Sequence, residues 1–426
     1  MNQKEWNNFI KSLFMKYYKD NFSLNNIVID RFEQREFGFR SFDNIMQRHF
    51  SFKTPDELRK FIIDLVPSDV YFSSAFYQKP DEKNMDLKNW LGAELSFDID
   101  IDHVPTKCKN EHDWWQCKAC QFTGKGTIPL KCPNCGSESI ESWNWICDNC
   151  FNEAKEQTQL LIDEFLISDL GLSPSELIIS FSGHRGYHVR VKNPEYEKLN
   201  VESRGMIVEH ISLPTTEKIV KQIINELSNR NKSLRFSFYT LNSEGWRGRI
   251  MRGLYEIISG YTKEMLNELG IDNEDIDYII KSRDRILDLL TNENSQLRSR
   301  VLDRFKSTES LINEAIKRKK VWIDERVTKD VRRLLRLPES LHGSTGFKAK
   351  IVSYSELDKF NPLKDAIVFR GDEFKVIITD PRVHKITIDD YYFDGTIIEK
   401  NKPISLPLPT AIYLILNKYA KPIGWN

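Results

Sequence analysis

Apolar and polar positions follow several rhythms along the chain. At the start, Trp6, Phe9, Ile10, Leu13, Phe14 and Tyr17 recur on one helical face, which predicts an amphipathic helix over residues 3–19. From Asn26 to about Asp102, short β-like runs alternate with helical ones. Within that stretch Glu94-Leu95-Ser96-Phe97-Asp98-Ile99-Asp100-Ile101-Asp102 alternates strictly. Leu95, Phe97, Ile99 and Ile101 point to one side of a strand, and Glu94, Ser96, Asp98, Asp100 and Asp102 to the other. A helical pattern returns over Glu153 to Leu170. Two runs, Leu177 to Phe181 and Tyr187 to Val191, then flank a glycine-containing turn and predict a hairpin.

Residues 203–320 read as mostly helical, with 261–320 a separate helical subdomain rich in Glu, Asp, Lys, Arg and Leu. An αβ unit follows around 321–346. In it Asp324 ends a strand, Thr328 caps a helix, and Pro338 stops that helix. The tail carries strand-like runs at Ala366 to Phe369, Phe374 to Thr379 and His384 to Ile388. The organisation that results is a catalytic α/β core of 1–107 with 151–260 and 321–350, an insertion at 108–150, the helical subdomain, and a β-rich extension at 351–426.

Composition narrows the class. The chain has 426 residues, 40% of them hydrophobic and 29% charged, enough for a core and too apolar for a wholly disordered protein. Lys+Arg and Asp+Glu both number 62, so any nucleic-acid contact must come from a local cleft rather than from net charge. The longest apolar run near the C-terminus, Ala411 to Leu416, is far short of the roughly 18 residues a membrane span needs. Residues Met1 to Trp6 lack a signal-peptide core, and a soluble cytoplasmic protein with no membrane partner is expected.

All seven cysteines lie between Cys108 and Cys150, which points to metal binding rather than disulfides. Read in order, Cys108, His112, Cys117 and Cys120 form one ligand group, and Cys132, Cys135, Cys147 and Cys150 a second of zinc-ribbon spacing. The spacing also leaves an interleaved pairing open. Closed four-ligand zinc sites of this kind are structural.

The aspartates of the alternating strand repel one another and need something positive beside them. Carboxylates at i and i+2, Asp98 and Asp100, suit a divalent-metal site for phosphoryl transfer; the competing reading is a solvated edge strand. Ser182-Gly183-His184-Arg185-Gly186-Tyr187-His188 joins the hairpin strands with two glycines, a hydroxyl, a guanidinium and imidazoles, a set that fits a triphosphate. An ordinary hairpin loop is the alternative. Asp324 offers a third carboxylate, and Ser340-Leu341-His342-Gly343 supplies a second small-residue loop with a histidine. Arg332 and Arg333 read as a solvated helix face. Arg247-Gly248-Arg249 and Lys317-Arg318-Lys319-Lys320 are candidates for a nucleic-acid path or for helix ends.

Four segments in order resemble the catalytic small subunit of archaeal and eukaryotic DNA primases. They are Arg35-Glu36-Phe37-Gly38-Phe39, the acidic strand, Ser182-Gly183-x-x-Gly186-x-His188, and Arg336-Leu337-Pro338-x-Ser340-Leu341-His342-Gly343, the last in an archaeal-like spelling. The resemblance covers about residues 1–350, and the cysteines fall where that family inserts its zinc-binding module. It implies an α/β (α+β) primase catalytic fold, a mixed sheet with flanking helices, the zinc insertion and a helical subdomain. It implies an enzyme that makes short RNA primers on single-stranded DNA from nucleoside triphosphates, with deoxynucleotides also accepted by archaeal members. Asp98, Asp100 and Asp324 would hold Mg2+ or Mn2+, and Ser182, Arg185, His188, Arg336 and His342 would bind the nucleotide. His184 stands where some members have arginine, and Asp102 lies beyond the positions the family uses. A heterodimer with an iron–sulfur large subunit is the implied assembly. A primase-polymerase relative that extends DNA ends and a non-catalytic zinc-ribbon scaffold are the competing readings.

Overall fold

A computed structural model describes residues 3–25, 27, 29–213, 221–223, 240–292 and 304–425. The expected helix forms over Gln3–Asp20, burying Trp6, Ile10, Phe14 and Tyr17 on the face their spacing marked. A second helix, Pro55–Leu65, starts where the Thr54 side chain accepts the Glu57 N–H and proline takes the first helical position. It buries Leu58 and Ile62 and sets Phe61 against Phe39, ring centroids 4.9 Å apart.

Eight strands make two four-stranded sheets: β1 (Phe37–Arg40), β2 (Met46–Phe50), β3 (Asp69–Ser73), β4 (Leu95–Asp100), β5 (Leu177–Phe181), β6 (Gly186–Val191), β7 (Leu334–Arg336) and β8 (Lys350–Val352). The orders are β7-β3-β1-β2 and β8-β5-β6-β4. Among the described residues every pairing in both sheets is antiparallel, in place of the mixed sheet expected from the sequence. Sequence neighbours such as β5 and β6 pair directly through a tight turn, so no parallel crossover is needed between them.

A buried ionic node ties the sheets together. Glu94, one residue before β4, takes both oxygens to Arg35 (2.8 and 3.2 Å) and to Arg190 of β6 (3.1 and 3.2 Å). Arg35 also donates to the carbonyls of Ser73 and Ser74 and lies over the Phe76 ring. Glu36 is buried with Arg48 and Lys88 as its cations. The Arg35 to Phe39 motif is therefore a piece of sheet architecture, and it lines no part of the cleft described below.

The β-rich tail packs against the rest of its unit. Lys350 to Val352 already belongs to the second sheet, and Phe374 stacks on Phe9 of the first helix at 5.6 Å. Strands Phe374–Ile378 and Lys385–Ile388 form as expected. Ala366 to Phe369 forms no strand; its apolar character comes from burial in a connection. The hairpin at Lys385–Ile388 and Tyr391–Asp394 reaches the cysteine-rich module, where Trp145 Nε1 donates to the Lys385 carbonyl and Asp148 accepts the Thr387 N–H.

The chain divides into two compact units. One comprises Met1–Thr158, Pro174–Gly205 and Ile323–Asn426, and the other Gln159–Ser173 and Met206–Trp322. The helical unit thus begins well before residue 261, with the apolar faces of Gly245–Gly260 and Thr308–Lys319 packed into one core around Leu254, Ile257, Ile312 and Ile316, and it recruits 159–173, where the Phe165 ring meets that of Trp246. Parts of the expected helical region, 214–220, 224–239 and 293–303, lie outside the described residues. In this unit Arg249 is fully buried against Glu164 and Asp169, which removes it from any nucleic-acid path. Arg318 and Lys319 are paired with Glu256. No described helix is long and apolar enough to cross a membrane.

Candidate active site

The register of β4 against β6 sets the site. His188 lies directly opposite Asp98, and Gly186 opposite Asp100. Gly186 is obligatory: a Cβ there would come within 2.0 Å of the Ile99 carbonyl oxygen. Gly183 turns the loop at φ +81°, with the Phe347 carbonyl and the His342 Cβ 3.1–3.2 Å from where its own Cβ would stand. The second loop locks onto the first there, as Thr345 Oγ1 donates to the Gly183 carbonyl at 2.5 Å.

Around this crossing lies a cleft of about 160 Å³. Asp98, Asp100, Ser182, Arg185, His188, Arg336 and His342 all line it, joined by Tyr71, His184 and Arg333. Asp324 adjoins it: its N–H donates to the Asp98 carbonyl at 2.8 Å. The local structure there differs from expectation. Asp324 is the N-cap of a short helix, Glu325–Lys329, and Leu334–Arg336 is strand β7 rather than the helix read from Thr328 to Pro338. Pairing of Leu334, Leu335 and Arg336 with Ser73, Phe72 and Tyr71 overrides their helical propensity. That change turns Arg333 from an assumed solvated helix face into part of the cleft wall.

Electrostatics divide the cleft into two halves. Burial, with the charges of Asp100 and Asp324 added, pushes the Asp98 carboxyl up to about 7. Burial also raises Asp100, although Arg185 opposes the shift. Arg185 Nε stands 3.1 Å from Asp100 and its Nη2 2.6 Å from Asp102. On the other side, burial and neighbouring arginines push His188 and His184 down to about 3 and hold His342 well below the usual histidine range. These imidazoles are neutral at physiological pH. Ser344 N–H donates to His342 Nδ1 at 3.1 Å, so the proton sits on Nε2 as a donor. His184 stacks on His342, centroids 4.5 Å apart. Arg336 is aimed by Asp69 at 2.5 Å and lies over the Tyr71 ring. Burial disfavours the Asp69 charge, but Arg336, Ser68 and the Gly343 N–H outweigh it and hold that carboxyl low. Asp69 and Arg333 carry no sequence signal of their own; only the strand pairing reveals them.

The cysteines are brought together in an interleaved way. Cys108, His112, Cys147 and Cys150 form one group, and Cys117, Cys120, Cys132 and Cys135 the other. This corrects the in-order grouping. Strand Trp114–Cys117 pairs with Thr123–Lys125 and Ile140–Trp143, which folds each Cys-x-x-Cys pair toward a distant partner. Sulfur separations are 3.6 and 3.8 Å from Cys150 to Cys108 and Cys147, and 3.5 and 3.6 Å across the second group. Thiolates around a tetrahedral zinc at about 2.3 Å would stand roughly 3.8 Å apart, whereas a disulfide brings sulfurs to about 2.05 Å. His112 Nδ1 is engaged by Asp113 at 2.8 Å, leaving Nε2 facing Cys150 at 3.5 Å, the arrangement of a zinc-ligating histidine. Both donor sets fit zinc. Among the described residues the three aspartates are not drawn into so compact a group. What suits that half of the cleft to a cation is the gathering of Asp98 and Asp100 with Asp324 beside them, whose charges add to burial in driving Asp98 up.

A family model described as DNA primase small subunit matches residues 144–354. The chain is 30% identical to the DNA primase small subunit of Methanosarcina barkeri, over 97% of this chain and 96% of that protein. It is similar to those of Nitrosopumilus maritimus (28% identical, 97% of each chain) and Archaeoglobus fulgidus (30% identical, 96% of each chain).

Proposed function

The chain belongs to the DNA primase small subunit family, and from that premise we propose that it synthesises short RNA primers on a single-stranded DNA template. The observation that carries this reading is the convergence of an acidic half and a cationic, hydrogen-bond-donating half on one cleft. At about 160 Å³ the cleft is too small to enclose a whole nucleotide and is suited to its charged end. In the reaction the primer 3′ hydroxyl gives up its proton to water as its oxygen bonds to the α-phosphorus of the incoming nucleoside triphosphate. The bond from α-phosphorus to the bridging oxygen breaks, and pyrophosphate leaves.

Asp98, Asp100 and Asp324 would hold Mg2+ or Mn2+, which supplies electrostatic stabilisation to the attacking and leaving oxygens when bound. The forked guanidiniums of Arg185 and Arg336 suit phosphate oxygens, and Asp69 holds that of Arg336. Neutral His188 and His342 and the Ser182 hydroxyl donate hydrogen bonds without adding charge, and Arg333 adds a further cation. Zinc at the two cysteine groups would fold the module and take no part in the chemistry; metal analysis should find two zinc ions per chain. An iron–sulfur large subunit is the proposed partner for initiation.

Purified protein incubated with single-stranded DNA, labelled ribonucleotides and Mg2+ or Mn2+ should yield short template-dependent products. Absence of any product with either ion, with and without the large subunit, would sink the proposal. Parallel reactions with deoxynucleotides measure sugar choice.

A further inference from the structure

Arg185 spans two carboxylates that are not equivalent. Asp100 belongs to strand β4 and lines the cleft, whereas Asp102 lies past the strand's end, in the turn Ile101–His103, and is not part of the cleft wall. Both oxygens of Asp102 are engaged. Oδ2 meets Arg185 Nη2 at 2.6 Å, and Oδ1 accepts from Asn144 Nδ2 at 3.3 Å. The turn itself is stapled by buried Lys109, whose Nζ donates to the carbonyls of Ile101 (2.7 Å), Asp102 (3.2 Å) and Val104 (2.7 Å). Lys109 follows Cys108 and Asn144 precedes Cys147, so both come from the segment that carries the Cys108, His112, Cys147 and Cys150 group.

We propose that Asp102 is a positioning residue for Arg185, held in place by Asn144 and Lys109 of the cysteine-rich module. The proposal rests on the reading of the cleft as a triphosphate site. A carboxylate facing that anion would repel it; set behind the guanidinium, it fixes the fork instead. Arginine is long and rotamer-rich, and ordering it before the ligand arrives lowers the entropic cost of binding. Asp100 serves the acidic half of the cleft, while Asp102 has no other cationic partner among the described contacts and is free to keep the guanidinium in place. The module is thereby coupled to nucleotide affinity through side chains.

The test titrates a fluorescent nucleoside triphosphate analogue into the full chain, with Mn2+ binding by electron paramagnetic resonance and melting temperature as second readouts. Asp102→Asn should weaken nucleotide binding about 3- to 10-fold and leave Mn2+ affinity unchanged. It should add nothing in an Arg185→Ala background, and Asp102→Glu should restore part of the loss. Asn144→Ala should act in the same direction with a smaller effect and full zinc content; this variant carries the test if Asp102→Asn does not fold. Unchanged nucleotide affinity in Asp102→Asn and Asn144→Ala beside a weakened Arg185→Ala overturns the inference alone. So does additivity in the double variant, or loss of Mn2+ from Asp102→Asn. If Arg185→Ala itself keeps full affinity, the triphosphate reading of the cleft fails, and the inference with it.

Discussion

Two carboxylates four residues apart, one just before β4 and one within it, are put to opposite uses. At Glu94 the carboxylate is 3% exposed, and Arg190 and Arg35 hold it below the usual glutamate range despite the cost of burial. Farther along, Asp98 is pushed up to about 7 because burial adds to the charges of Asp100 and Asp324. One carboxylate is neutralised within the fold and holds two sheets together. The other lies buried beside two further carboxylates, and in the proposed function it takes a cation. Residue type does not separate them; the guanidiniums in direct contact with Glu94 and the carboxylates beside Asp98 do.

The largest effect expected from this contrast is on activity. Asp98→Asn or Asp100→Asn should lower primer synthesis by about 10³-fold or more, since a bound cation supplies several kcal/mol to the transition state. Single-stranded DNA affinity should stay near that of the parent. Substantial activity in either variant, measured by product gels, would break the functional half of the comparison.

Glu94→Gln should leave Arg35 and Arg190 buried without a countercharge and cost about 3–5 kcal/mol of stability, read by urea unfolding. The sign with pH follows from the direction of the shift. Because the folded carboxyl is held low, its contribution is full above the ordinary glutamate range and is lost as pH falls through the folded value. The deficit of the variant should therefore shrink in acid. A deficit independent of pH would point to lost packing instead.

His188→Ala should weaken nucleotide binding about 10- to 100-fold, the value of one hydrogen bond to a charged group, with little change in stability. If DNA binding falls and nucleotide binding does not, His188 belongs to the template path.

The smallest effect is a gain. Without divalent ions Asp98→Asn should melt about 1–4 °C higher than the parent at pH 7. The folded carboxyl titrates near 7 and the unfolded one near 3.8, so the folded state holds a proton that the unfolded chain releases. Parent stability falls as pH rises through that window, and the advantage of the variant over the parent should vanish near pH 4. Added Mn2+ should reverse the order. Equal melting across the window would mean that Asp98 is already compensated.

Much of the site was legible along the chain because its parts are local. Strict alternation placed Asp98 and Asp100 on one side of a strand, and the two glycines of the Ser182 to His188 turn marked a close approach that Gly186 and Gly183 do make. The cysteine spacing marked eight candidate ligands but not their partners, since three paired strands decide which pair meets which. The helix expected over Thr328 to Pro338 gives way to edge pairing with β3, which puts Arg333 in the cleft wall instead of on a solvated helix face.

What the sequence determined by itself is chemistry that repeats at short range: the period of a strand, the spacing of a metal knuckle, the glycine that a crossing backbone demands. Only the tertiary structure decided which charges are compensated. Glu94 and Asp98 look alike in a row of letters, and Asp102 looks like a third member of the same set. Their roles depend on Arg35, Arg190, Arg185 and Asn144, which the fold brings in from 42 to 96 positions away, as the separations of their hydrogen-bonded pairs show. Coulomb interactions act through space, and the chain records distance only along itself.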